Sequence, residues 1–388
     1  MSTTVNATDL HAALKKIMRA MDRKPNIPVL RCARLESTPD GELALTCTDL
    51  DRDYTARAAA SGAADLHAAP DAKDLLTALE GVTGAITLAV AGESLTVETE
   101  AGGAIVECLP VEDFPRMKDT WGDLAQTITM PAPELARVLG TVAPAMSTEE
   151  TRYYLDGVLF ELPDYPDGRD SEPLTVVATD GRRLARVRTE HIVPPFMTPE
   201  NASGGRRADV IAPRAFIKDA LALAKAREHK AATAHLRLSE TRVAVTIGGV
   251  TMTSKVIDGV FPEYTRVIPS RQSEVAAIPA KALIAAVKAV SAVSSERTKV
   301  AKLTVDGGGG RVEASNPDGA SAWRAIPGAY HEGEGIVTGF NARYLLDTAG
   351  AFPTGATLRM SQASPYDPAR IESNDAPDVT VVVMPMRV

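Results

Sequence analysis

Three segments of this chain open alike, and the repetition limits what it can fold into more than any single residue does. Each runs from a short polar stretch through a small residue or Pro into a helix with Leu near its first turn. They are TVNATDLHAALKKIMRAM around Leu10, TITMPAPELARVLGTVAPAM around Leu135 and EVAAIPAKALIAAVKAV around Leu283. Each copy then starts a second helix, at PDAKDLLTAL from Pro70, PRAFIKDALAL from Pro213 and FNARYLLDTA from Phe340. Strand-like endings recur too: IVECLPVEDFP up to Pro115, SKVIDGVFPEY up to Tyr264 and WRAIPGAY up to Tyr330. A period above 120 residues is too long for a solenoid unit and predicts whole domains in series. Three similar domains build a curved surface more readily than one catalytic pocket.

Within each copy the hydrophobic spacing predicts two helices and many short strands. Leu10, Ala13, Leu14, Ile17, Met18 and Met21 follow helical spacing, with Lys15, Lys16, Arg19 and Arg23 elsewhere on the wheel and Thr8 or Asp9 as cap. Leu135, Val138, Leu139 and Val142 repeat the stripe, as do Ile217, Ala220, Leu221 and Ala224, then Leu283, Ala286, Val287 and Val290. Alternation across Arg242–Ile247 reads as a strand, and Asp40-Gly41, Gly92-Glu93 and Gly248-Gly249 as hairpin turns. The fold class is therefore α+β, each domain packing two helices on antiparallel sheets. Linkers near 118–126 and 268–273 set the domains at 1–124, 125–271 and 272–388. The stretches Asp164–Glu172 and Pro194–Arg207 read as polar loops, and Gly307–Gly310 as a hairpin tip.

A net charge of −8 argues naively against a nucleic-acid partner. Its distribution argues the opposite. The six helix windows (8–24, 71–80, 132–146, 213–230, 280–302 and 341–352) together carry +8, which leaves −16 on the rest of the chain. Such segregation steers a polyanion toward one surface and away from another. The three cysteines, Cys32, Cys47 and Cys108, are far apart and read as reduced core or strand residues of a cytosolic protein. The N-terminus shows no basic stretch followed by an apolar run, and no segment approaches a membrane span of about 18 residues.

Longer composite motifs carry a resemblance. RYYLDGVLFE (Arg152–Glu161), VVATDGRRLA (Val176–Ala185), TSKVIDGVFPEYTRVIP (Thr253–Pro269) and VVVMPMRV (Val381–Val388) resemble the bacterial DNA polymerase III beta subunit family, the beta sliding clamps. KPNIPVL (Lys24–Leu30), LTCTDLD (Leu45–Asp51) and LPVEDFP (Leu109–Pro115) agree, so the resemblance covers essentially the whole chain. It implies a three-domain subunit forming half of a six-domain ring. Two copies would close head to tail around double-stranded DNA, with twelve helices lining the hole and strands outside. The implied function is a processivity factor that tethers the replicative polymerase, with no chemistry and no cofactor of its own. The implied partners are duplex DNA, a second copy, the polymerase, an ATP-dependent clamp loader and other proteins bearing clamp-binding peptides. The implied location is the cytoplasm, on the nucleoid.

The charge pattern and the resemblance together nominate Lys15, Lys16, Arg19, Arg23, Lys24, Arg214, Lys218, Lys281 and Lys288 for DNA. Glu149 stands where some relatives are polar near DNA, and weakens that contact. By position in the matched motifs, a peptide cleft would comprise Arg152, Leu155, Thr179, Gly181, Arg182, Leu184, Pro262, Val267, Asn341, Tyr344, Val382, Met384, Pro385, Met386 and Arg387. Aliphatic and Met side chains make an adaptable slot for a partner segment with Gln and bulky apolar residues. Two departures bear on that slot: Arg182 replaces a frequent His, and Val388 a usual terminal Leu. The ring contact would join Ala104 and Val106 on a first-domain edge strand to Ala292, Val293 and Arg297 of another copy, with Ala104 smaller than the residue many relatives carry.

Competing classes leave little trace. A nucleophile elbow, a Cys–His pair, metal-spaced histidines and close carboxylate pairs are all missing from the sequence, and Asp49 and Asp180 read as turn residues. No helix-turn-helix or zinc module is visible for sequence-specific DNA binding. A paralogous clamp of phage, plasmid or resistance type, with altered partners, is the alternative within the family.

Overall fold

The structure, a computed structural model, describes every residue except 1, 23, 63–65, 118–120, 122–124, 162–171, 194–209, 273–274, 294–298 and 388. Among the described residues there are six α-helices: α1 (Ala7–Ile17), α2 (Ala72–Ala78), α3 (Ala132–Val142), α4 (Arg214–Ala224), α5 (Ala280–Ser291) and α6 (Ala342–Gly350). They fall two to a repeat, as the sequence predicts. The buried stripe of α1 is Leu10, Ala13, Leu14 and Ile17, and that of α5 is Leu283, Ala286, Val287 and Val290. One detail differs. The α1 cap is Asn6, not Thr8 or Asp9: extended backbone at Asn6 aims its carboxamide oxygen at Thr8 N (2.9 Å) and Asp9 N (3.3 Å), so both fall in the first turn. The α-helix also stops at Ile17, and a 3-10 turn (Met18–Ala20) carries the chain on.

The chain divides into two compact units, one of residues 1–135 and 218–256, the other of 136–217 and 257–388. This division falls inside α3 and α4 of the middle repeat. In the first unit, eight strands of the first repeat close on themselves. Ser2–Asn6 pairs with Ala85–Ala91 on one side and with the far end of Arg52–Ser61 on the other. The near end of Arg52–Ser61 also pairs with Val250–Lys255, extending the sheet through Arg242–Ile247 and Thr233–Leu238 to Gln126–Pro131. In the second unit a nine-stranded sheet joins Gly157–Glu161, Glu172–Thr179 and Arg183–Val193 to Ala376–Val383 and the strands beyond it. A separate four-stranded sheet runs Ser321–Ile326, Gly309–Ser315, Val300–Asp306, Ile336–Asn341. Successive repeats are thus stitched edge to edge, Arg52–Ser254 pairing in one unit and Arg183–Val383 in the other.

The predicted turns form where glycine is required. Gly41, Gly92, Gly248 and Gly249 all sit at positive φ between paired strands, and Asp306 pairs with Gly309 across the Gly307–Gly308 tip. Cys32, Cys47 and Cys108 are buried and unpaired. Burial pushes the Cys32 and Cys108 thiols up to about 11 and the Cys47 thiol further still, so all three stay protonated near neutrality. No helix among the described residues is long and apolar enough to cross a membrane.

Candidate functional site

The basic residues nominated from sequence lie mostly on the solvent side of helices whose other side is core. In the first unit Lys15, Arg19, Lys24 and Lys218 are exposed, and Lys16 is half-buried. Two of them have local partners: Lys16 Nζ lies 3.3 Å from Glu228, and Arg19 Nη1 lies 3.6 Å from Asp219. In the second unit Lys281 and Lys288 are exposed on α5. Arg214 differs. Its Nε donates to Asp156 Oδ1 and its Nη2 is buried, so this side chain ties α4 to the turn before Gly157 and has little left for a phosphate. Arg23 lies outside the described residues.

The residues nominated for a peptide cleft all belong to the second unit. Leu155, Leu184 and Val382 share one apolar cluster with Leu159, Val177, Ile211, Phe261 and Tyr264, against which Tyr154, Ile257 and Ile268 pack. Three elements bring them together. The turn ending at Leu155 supplies one wall, the strand from Arg183 and its partner Ala376–Val383 supply the floor, and the segment 257–268 covers one side. The C-terminal tail is fixed by two backbone bonds, Met384 N to Arg182 O (2.9 Å) and Met386 N to Gly339 O (2.8 Å). That fixing leaves Met384 and Met386 partly exposed next to Val382, with Tyr153, Val260 and Val267 exposed nearby in sequence to the cluster's walls. Exposed apolar side chains continuous with a buried cluster are what an apolar peptide needs.

Several other nominated residues have contacts of their own within the second unit. Thr179 Oγ1 donates to Arg183 O (2.6 Å) and Asn341 caps α6 by accepting from Arg343 N (2.9 Å). Gly181, at φ +82°, lets the Arg152 guanidinium approach: a Cβ there would sit 2.7 Å from Arg152 Nη1. Arg182, Pro262 and Arg387 are exposed and Pro385 is half-buried. Tyr344 lies beneath Arg183, whose guanidinium carbon is 4.2 Å from the ring centroid. Burial first, then Asp180, holds its phenol above the ordinary value, so it stays neutral. Arg183 itself was missed in the sequence. It binds Asp180, Asp347 and the Pro144 carbonyl at once, and so sets the turn from which Gly181, Arg182 and Leu184 project.

The nominated ring-contact residues need one correction. Val106 is 3% exposed and points into its own core, whereas its neighbour Ile105 is 75% exposed. Alternation along Gly102–Leu109 puts Ala104, Val106 and Cys108 on one face and Ile105 and Glu107 on the other. Among the described residues, Gly102–Val106 pairs along one edge only, with Leu95–Thr99, while on the other edge Glu107 O accepts from Asp71 N (3.1 Å). Ser321–Ile326 is likewise an edge strand, and its Trp323 is 61% exposed. Ala292 is exposed and Val293 half-buried just beyond α5, while Arg297 lies outside the described residues.

Comparison with known proteins places this geometry. Residues 129–263 match the family model described as DNA polymerase III beta subunit, central domain, and residues 265–387 that of its C-terminal domain. The curated Beta sliding clamp of Caulobacter vibrioides is 31% identical over 392 residues, with all of both chains covered. That of Escherichia coli is 27% identical, again over the full length of both. Among solved structures, a DnaN sliding clamp from Pseudomonas aeruginosa bound to griselimycin superposes with a TM-score of 0.86 at 26% identity. A beta sliding clamp from C. crescentus gives 0.85 at 30% identity. Both cover all of this chain and all of their own.

Proposed function

The chain belongs to the DNA polymerase III beta subunit family and is a DNA sliding clamp; from that premise we propose how its own residues carry out the task. Its three domains, 1–124, 125–271 and 272–388, form half of a ring that a second copy closes head to tail around duplex DNA. It acts in the cytoplasm on the nucleoid, does no chemistry, and holds the replicative polymerase by topology. An ATP-dependent loader opens it, and the polymerase, the loader and other proteins dock short peptides in the cleft of the second unit. Linkage works as an effective-concentration effect, since a tethered polymerase that lets go rebinds before diffusing away.

The observation that carries the DNA reading is the exposure of Lys15, Lys24, Lys218, Lys281 and Lys288 on or beside helices that bury their opposite faces. A ring must hold a polyanion without gripping it. Lysines suit that need, because they give non-directional phosphate contacts that carry no sequence information. Replacing Lys15, Lys218 and Lys288 together with Glu should weaken loader-free binding to linear duplex DNA about 10-fold or more. The slope of log binding constant against log salt should flatten as well. Equal affinity and slope in the triple variant would remove these lysines from the DNA surface.

For the ring contact, the two unpaired edges complement each other: Ile105 stands on one and Trp323 on the other, with Glu107 and Arg324 of opposite charge beside them. Edge strands left open invite pairing with another chain, and large aromatics at a contact carry most of its energy. Trp323→Asp is expected to raise the dimer dissociation constant by about 100-fold. Light scattering at micromolar concentration would then show monomer. A dimer of unchanged stability would assign the seam elsewhere.

A further inference from the structure

The sequence Thr48-Asp49-Leu50-Asp51-Arg52 and the sequence Thr179-Asp180-Gly181-Arg182-Arg183 fold into the same turn, in two different repeats. In each, the Thr hydroxyl donates to the Arg carbonyl, at 2.8 and 2.6 Å. In each, one Asp oxygen accepts from the backbone two and three residues on: Asp51 N (3.1 Å) and Arg52 N (2.7 Å), Arg182 N (2.8 Å) and Arg183 N (2.9 Å). The third residue is left-handed in both, Leu50 at φ 80° and Gly181 at φ 82°. Leu50 holds that conformation without glycine's freedom, so its surroundings must enforce it.

The purpose of the turn is visible in its arginine. Arg52 Nε lies 2.9 Å from Asp49 Oδ2, its Nη1 lies 3.2 Å from Asp219 on α4 of the next repeat, and its Nη2 lies 3.2 Å from the Ala20 carbonyl just past α1. Arg183 repeats each contact: Asp180 Oδ2 at 3.0 Å, Asp347 on α6 of the next repeat at 2.7 Å, and the Pro144 carbonyl just past α3. An aromatic ring lies against each guanidinium, Tyr54 and Tyr344. Tyr54 also donates its hydroxyl to Asp219 at 2.9 Å. Every charged side chain in both sets is less than a fifth exposed. Ion pairs this sheltered and this fully hydrogen-bonded are weakly screened, and removing one member strands the other.

The third repeat has neither half. Its corresponding hairpin, Asn316-Pro317-Asp318-Gly319-Ala320, contains no arginine and is closed by Ala320 N to Asn316 Oδ1 (2.9 Å). Counting six residues on from the residue before α4 and α6 (Pro213, Asn341) reaches Asp219 and Asp347. The same count from Asp71 before α2 reaches Thr77, whose hydroxyl donates to its own helix at Lys73 O (2.8 Å). We propose that Arg52 and Arg183 are matched clasps locking the two repeat junctions inside the chain, and that their absence at the third directs ring opening to the seam between copies. The second half of this proposal rests on the closed-ring reading above; the first half does not.

The test uses the full-length protein and reads two quantities at once. Arg52→Gln removes one clasp without touching the lysines assigned to DNA or the peptide cleft, its one contact with a nominated residue being to the Arg19 backbone carbonyl (3.4 Å), and Asp219→Asn attacks the same clasp with near-identical shape should the first variant fold poorly. Hydrogen exchange should quicken about 100-fold at the amides pairing Arg52–Ala56 with Val250–Ser254, while Ser94–Thr99 exchanges as before. The rate at which labelled and unlabelled copies swap partners should stay unchanged, because the seam has no clasp to lose. Uniform acceleration across the chain, or none at that junction, overturns the clasp. Faster partner exchange in Arg52→Gln overturns its confinement of opening to the seam, and an absence of dimer altogether would fail the ring reading while leaving the exchange result to judge the clasp.

Discussion

Deleting Pro385–Val388 should weaken binding of a fluorescent peptide bearing Gln and bulky apolar residues by about 100-fold, and Met384→Ala by about 10-fold. Two backbone bonds hold the tail in place. Met384 N is held by Arg182 O, on the turn that the Arg183 clasp shapes, and Met386 N by Gly339 O, on the four-stranded sheet. The tail follows directly on Val382 of the Leu155–Leu184–Val382 cluster, and Met384 and Met386 stay exposed along it. Pro385 has no N–H to offer a strand, so the peptide group between the anchors is not drawn into sheet pairing. Deletion removes one anchor and one of the two methionines. The truncation removes little core, because Met386 and Arg387 are exposed; a thermal midpoint close to that of the parent chain should accompany the lost affinity. Anisotropy titrations giving the same dissociation constant for both variants would remove the cleft assignment.

Gly157→Ala should destabilise the second unit by about 3 kcal/mol, the upper end of what overpacking costs. Gly157 is not a turn glycine. It lies in a strand, paired with Pro213, and the neighbouring backbone occupies the space a side chain would need. A Cβ there would fall inside contact distance of the Ala212 carbonyl oxygen, 3.1 Å from its carbon and 3.2 Å from Ile211 Cγ2. Backbone cannot swing aside as a side-chain tip can. Relief requires the strand Gly157–Glu161 to part from Val210–Pro213, which would move Leu159 and Ile211 out of the cleft cluster and strain the Asp156–Arg214 pair. Denaturant unfolding should show the loss, together with weaker peptide binding. A variant as stable as the parent would mean that this sheet tolerates a shift the packing does not allow for.

Much of the fold was legible because repetition and period both speak locally. The helical stripes of α1, α3 and α5 and the glycine turns at Gly41, Gly92 and Gly248 each follow from a few adjacent residues. Less local features escaped. Strand parity was one: Ile105 and Val106 are both β-branched and apolar, and only the pairing with Leu95 and Thr96 decides which faces outward. The helix cap was another, since Asn6, Thr8 and Asp9 all suit the role and only backbone direction selects Asn6. Arg182 and Arg183 are neighbours of one type. One is exposed and the other clasps Asp347, 164 positions away. A signal for the clasp did exist, in the Thr-Asp spacing to Arg shared by Thr48–Arg52 and Thr179–Arg183, but read singly each looks like an ordinary turn. The lysines proposed for DNA were nominated by charge segregation, which a net charge of −8 conceals.

Encirclement can be measured directly. Clamp loaded on nicked circular duplex DNA should persist through a wash at about 1 M salt, where the Debye length of about 3 Å leaves little electrostatic attraction. Cutting the circle once with a restriction enzyme should then release it, because a ring held by topology slides off a free end. Loss from intact circles as fast as from cut ones, or retention on both, would contradict a clamp that surrounds its DNA.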